Sequence, residues 1–103
     1  MESKKIITLD LSDSKYLGEI HERIRTAFDF PQWYGANWDA FRDLLSTECD
    51  ADEVIVTGLK TLSKEFDSDI KILKQILERE IKFREDIWGK NEDYVPFSYI
   101  IVD

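Results

Sequence analysis

Three short β-branched runs, set far apart along the chain, restrict its fold more than any other feature. Lys5–Leu9 (KIITL), Val54–Thr57 (VIVT) and Phe97–Val102 (FSYIIV) each have strand length and few charges. KIITL is nearly continuous in apolar residues, as a strand buried on both faces would be. The segments between the runs are too long for hairpins and carry helical periodicity, so the strands are expected to lie parallel with right-handed crossovers. Three strands make a small sheet, with one layer of helices expected against it. The expected class is α/β, a three-stranded parallel sheet packed against helices, as a single domain over residues 1–103.

The helices follow from apolar spacing. Tyr16, Leu17, Ile20, Ile24, Ala27 and Phe28 mark a first amphipathic helix over Ser14–Phe28. A second runs from Trp38 to Leu45. Leu59–Phe66 has room for one or two helical turns. Ser68 is placed to cap a long helix whose buried stripe is Ile70, Leu73, Ile76, Leu77, Ile81 and Phe83, and which ends at Trp88 before Gly89. GKNEDYVP reads as a loop.

The stretch FPQWYGANWDAFRDLL, Phe30–Leu45, is where recognition chemistry concentrates. Pro31 disfavours helix at Phe30, so the first helix must stop there. Gly35 is expected to supply a positive φ to the turn. Asn37 is a natural N-cap for the helix that follows. Trp38, Phe41 and Leu45 then recur on one face, while Asp39 and Asp43 share another. Trp33 and Tyr34 are adjacent and cannot both bury in one direction, so at least one is expected to stay exposed. Exposed aromatics beside charge are characteristic of interface anchors.

Charge narrows the partner. With 22 acids against 14 bases the formal charge is −8, which repels nucleic acid and anionic membranes and attracts basic partners. No apolar stretch reaches membrane-span length, and the N-terminal MESKKIITLD has no signal-peptide core. One cysteine, Cys49, suits a reducing compartment, so a cytoplasmic location is expected. Catalysis finds little support. The single histidine, His21, lies in the first helix with no second histidine, and its expected setting is surface or half-buried. Cys49 has no evident basic neighbour, and no glycine-rich phosphate cradle exists. Asp39 and Asp43, or the acids of ECDADE (Glu48–Glu53), could hold a divalent cation, but the loop lacks ligand spacing and reads as solvated. No cofactor and no metal site are expected.

Within this stretch the chain resembles the barstar family, intracellular inhibitors of barnase-type ribonucleases. The resemblance rests on a proline and two aromatics followed by Gly35, Asn37, Asp39, Ala40 and Asp43 in register, and on the order of elements from KIITL to YIIV. It implies a barstar-like fold and a protein that plugs a basic ribonuclease active site without catalysis. By resemblance, Asp43 is the central carboxylate where RNA phosphate would bind, with Asp39 and Trp33 contacting the partner beside it. Tyr34, Gly35 and Asn37 shape the loop, Ala40 permits close approach, and Ser46 stands where the family has threonine. Arg42 and Glu48 replace residues usually aromatic there; Arg42 has Asp39 and Glu48 as available ion-pair partners. An acidic contact from the last long helix falls near Asp69, with Ile70 aligning about as well.

The expected partner is therefore a basic ribonuclease or related toxin, bound by a protein that is monomeric when free. The rival is a module of the same fold serving a non-nuclease basic partner, which Arg42 and Glu48 favour. A metal-dependent hydrolase is the third reading.

Overall fold

The computed structural model describes residues 4–103. These form β1 (Ile6–Asp10), α1 (Leu17–Phe28), α2 (Trp38–Thr47), β2 (Glu53–Thr57), α3 (Asp67–Trp88) and β3 (Ser98–Val102). The strands pair in parallel in the order β1-β2-β3, with Leu9 opposite Val56 and Val56 opposite Ile101. The α/β class and the parallel sheet are as the sequence indicates. Leu59–Phe66, expected as one or two helical turns, forms two single 3-10 turns, Leu59–Thr61 and Lys64–Phe66.

Strand order explains where the core lies. Moving across the sheet in one direction through right-handed crossovers puts every connecting helix on the same face. Leu9, Val54 and Val56 are fully buried on that face against Ile20, Ile24, Phe41, Leu45, Leu73 and Leu77. The opposite face carries Ile6, Ile100 and Val102, all exposed. β1 is therefore not buried on both faces, contrary to the reading of KIITL. A continuous apolar run also arises when an edge strand has one uncovered side.

Several boundaries are shifted. α1 starts at Leu17 rather than Ser14, because Ser14 is buried and its hydroxyl donates to the Leu11 carbonyl (2.9 Å), holding the preceding turn. Tyr16 and Leu17, expected on the buried stripe, are exposed at the open end of that helix. α1 stops in a Schellman turn: Phe30 N–H donates to Arg25 O (2.9 Å), with Asp29 left-handed at φ 55. α3 begins at Asp67 as a continuation of the second 3-10 turn, so Ser68 lies inside its first turn and does not cap it. Within α3, Leu73, Ile76 and Leu77 are buried as expected, but Phe83 is exposed. Its turn instead pairs the buried Glu80 with the half-buried Arg84.

The acidic run after α2 is more engaged than a solvated loop. Ala51 is fully buried, Asp50 pairs with Lys5, and Asp52 accepts from the Lys5 amide at 2.9 Å, tying the start of β1 to β2.

Gly58 ends β2 at φ 84, a conformation with little steric cost only for glycine. A Cβ there would lie 2.6 Å from the backbone Cα of Ser12. Gly58→Ala is expected to cost about 2–4 kcal/mol, combining left-handed strain with overpacking. Denaturant unfolding checks this, and a loss below about 0.5 kcal/mol would contradict the account.

Candidate functional site

The turn before α2 is built from side chains that anchor it inward. Tyr34 N–H donates to Pro31 O (3.0 Å), closing the turn, and the Tyr34 ring packs on Phe30 with centroids 5.5 Å apart. The Tyr34 hydroxyl reaches the buried His21 Nδ1 at 2.7 Å. Drawing Tyr34 into the core turns its neighbour out, and Trp33 is 70% exposed. The left-handed residue of the turn is Ala36, at φ 52, and not Gly35. Gly35 serves through its small size: a Cβ there would come within 3.2 Å of Asn37 Nδ2 and 3.4 Å of the Ala40 Cβ.

Asn37 caps α2 as expected, its Oδ1 accepting from Ala40 N–H at 2.8 Å. Its Nδ2 also donates back to Gly35 O at 3.1 Å, joining turn and helix. Phe41, Leu44 and Leu45 bury the inner face of α2. Trp38, expected in the core, is half-buried: its ring lies 4.5 Å from His21, while Nε1–H donates to Asp69 at 2.9 Å. Asp69 thus fastens α2 to α3. Ile70, which aligned equally well, is partly buried against the core.

The outer face of α2 carries Asp39, Arg42, Asp43 and Ser46. Asp39 and Asp43 are both exposed, and Arg42 reaches Asp39 at 3.6 Å, a solvated pair of little energetic weight. Of Arg42's two available partners the structure pairs it with Asp39. Ser46 donates to Glu80 Oε1 at 2.7 Å. Turn and helix therefore bring Trp33, Asp39, Arg42, Asp43 and Ser46 to the surface, while Tyr34, Asn37, Ala40 and Asp69 hold that surface in place.

His21, Glu80 and Arg84 were not singled out as structural from the sequence. His21 is fully buried, not at the surface or half-buried, and desolvation lowers its pKa, opposed by the nearby Asp69. Burial also raises the Tyr34 hydroxyl. Glu80 is buried and pairs with Arg84 Nε at 2.6 Å. Arg84 donates further to Leu45 O (3.2 Å), Cys49 O (3.1 Å) and Ala51 O (2.8 Å), and lies 4.3 Å over the Phe97 ring. Leu45 lies in the last turn of α2 and Cys49 and Ala51 in the segment that follows, so one guanidinium ties the helix C-terminus to the approach to β2. Cys49 thus has a basic neighbour after all, yet burial is the larger effect and pushes its thiol pKa up.

Two outcomes follow. Imidazole has an ordinary pKa of 6.5 and a lower one when folded, so the unfolded chain takes up the proton first. Stability should fall as pH drops below about 6.5, ahead of any carboxylate effect. His21→Asn, whose Oδ1 can accept from Tyr34, should flatten denaturant midpoints between about pH 6.5 and 5; identical slopes in variant and wild type would contradict this. Glu80→Ala takes the carboxylate from the half-buried Arg84 and the acceptor from Ser46 and should cost about 1.5–3 kcal/mol, while a loss below about 0.5 kcal/mol would show the pair to be dispensable.

The family model described as Barstar (barnase inhibitor) matches residues 4–100, nearly the whole chain. The chain belongs to the barstar family. That family is described by inhibition of barnase, a ribonuclease, which makes the coarse function that of a ribonuclease-inhibitor-type binding protein. No curated protein matches the chain.

Proposed function

We propose that this barstar-family chain is a cytoplasmic immunity protein that binds and blocks the active site of a basic ribonuclease toxin. The observation that carries the reading is the placement of Asp39 and Asp43. Both carboxylates are exposed on one face of a capped helix whose other face is locked into the core. Presentation on a rigid element limits the ordering cost of binding.

The mechanism is occupancy. A ribonuclease cleft is lined by cations that bind RNA phosphate. A carboxylate set among them makes charge-assisted hydrogen bonds of about twice the neutral strength once water is expelled. Asp43 is the central group and Asp39 contacts the partner beside it. Trp33, held outward by the burial of Tyr34, supplies aromatic contact at the edge. Gly35, Asn37 and Ala40 set the backbone so that α2 can approach closely, and Asp69 acts by positioning Trp38 and α2. The net charge of −8 favours fast encounter with a basic partner. No cofactor enters, and the protein itself performs no chemistry.

One observation favours a second reading. Arg42 sets a cation between the two carboxylates and engages Asp39 at 3.6 Å, which suits a partner with a different charge pattern. A non-nuclease basic protein is that alternative.

The test is capture from the protein's own organism with wild type and with Asp39→Ala/Asp43→Ala as bait. The expected result is a basic ribonuclease retained and inhibited by wild type and lost by the variant. With that nuclease, Asp43→Lys should weaken binding by at least about 2–5 kcal/mol, with the loss reduced at high salt. Retention of the same non-nuclease protein by both baits would sink the inhibitor reading.

A further inference from the structure

The large exposed apolar side chains are not scattered evenly. Outside the open sheet face and the start of α1, they flank α2: Trp33 at its N-terminal end, and Phe83, Ile87, Trp88 and Val95 beyond its C-terminal end. We propose that the partner-binding surface continues past α2 along the α2–α3 groove into a pocket at the C-terminal end of α3. There Phe83, Trp88 and Val95 form a second, apolar anchor for the same basic nuclease. This inference rests on the inhibitor reading of the α2 face and extends it.

The helices run in the same direction, since Trp38 meets Asp69 near both starts and Ser46 meets Glu80 further along. α2 has 10 residues and α3 has 22, so α3 continues about 12 Å beyond Glu80, to Trp88. Along the groove, Arg42 and Arg79 border both its first and second stretches. Ser46 and Phe83 border both the second stretch, about 270 Å³, and a terminal pocket of about 670 Å³. Asp43 lies in that second stretch, which makes the carboxylate face and the apolar pocket one surface.

Size favours an extension of this kind beyond α2 and its preceding turn. A standard interface covers about 800 Å² per partner, a patch about 30 Å across, whereas α2 spans only about 15 Å. The outer face of α2 is polar from Asp39 to Thr47, yet the centre of a tight interface needs buried aromatic or aliphatic anchors. The α3 pocket supplies them, with Trp88 56% exposed. Its lining pairs the acids Asp52, Glu80 and Asp93 with Lys4 and Arg84, of which Arg84 is engaged by Glu80, and Tyr94 borders it with a hydroxyl that is shielded from water and has no partner among the described residues. The occupant the site fits is an apolar side chain, preferably aromatic, on a loop beside the nuclease's cationic cleft.

The experiment uses the basic ribonuclease captured by wild type, catalytically disabled, as the probe and follows association and dissociation with wild type, Phe83→Ala/Trp88→Ala, Trp88→Asp and Asp43→Ala. Trp88→Asp falls on a side chain that is 56% exposed, and melting temperatures of both α3 variants are read alongside binding to separate loss of fold from loss of contact. The expected result is a 10- to 100-fold weaker complex for each α3 variant, through faster dissociation and with an unchanged salt slope. Asp43→Ala should weaken binding with a reduced salt slope. Loss with Asp43→Ala alone would overturn the second anchor and leave the inhibitor reading standing. Loss with the α3 variants alone would overturn the continuous surface, and unchanged binding by every variant would overturn both readings.

Discussion

The attachment of α2 to α3 is the constraint on which the rest depends. α2 is short, and isolated helices of its length are marginal in water, so its shape must come from its neighbours. At one end Trp38 donates to Asp69; at the other, Ser46 donates to Glu80 while Arg84 donates to the carbonyls of Leu45 and Cys49. Phe41 and Leu45 fill the space between these two fixings. A helix held at both ends and along its inner face can offer carboxylates in one geometry.

That arrangement depends in turn on the one-sided sheet. Because β1, β2 and β3 succeed one another in a single direction, α1, α2 and α3 share one face and pack on each other as well as on the strands. The turn between α1 and α2 is heavily aromatic, with Phe30 packed on Phe28 of α1, on Tyr34 and on Phe41 of α2. Burying Tyr34 against His21 leaves Trp33 no inward path. The exposed indole is thus a consequence of the core as much as a feature of the surface.

Much of this was legible in the sequence. Short β-branched apolar runs located the strands and period 3.6 the α-helices, and Asn37 announced the start of α2 because its side chain can accept from the free amides of the first turn. The turn geometry was less legible: glycine marks permissive backbone, but here Ala36 takes the left-handed conformation and Gly35 only makes room. Glu80 and Arg84 were hidden because burial of charge reads as improbable unless the partner is known. A signal was present, since an acid and a base four apart both fall on the stripe of Leu73, Ile76 and Leu77. His21 likewise sits three before Ile24 and seven before Phe28, at core spacing that its polarity masked.

The central claim is that exposed carboxylates on α2 occupy a nuclease's phosphate site. Steady-state cleavage of RNA by the captured ribonuclease, at increasing concentrations of this protein, tests it most directly. The account predicts inhibition competitive with RNA, overcome by excess substrate and weakened by salt. Inhibition that excess RNA does not relieve would place the contact away from the cleft and contradict it.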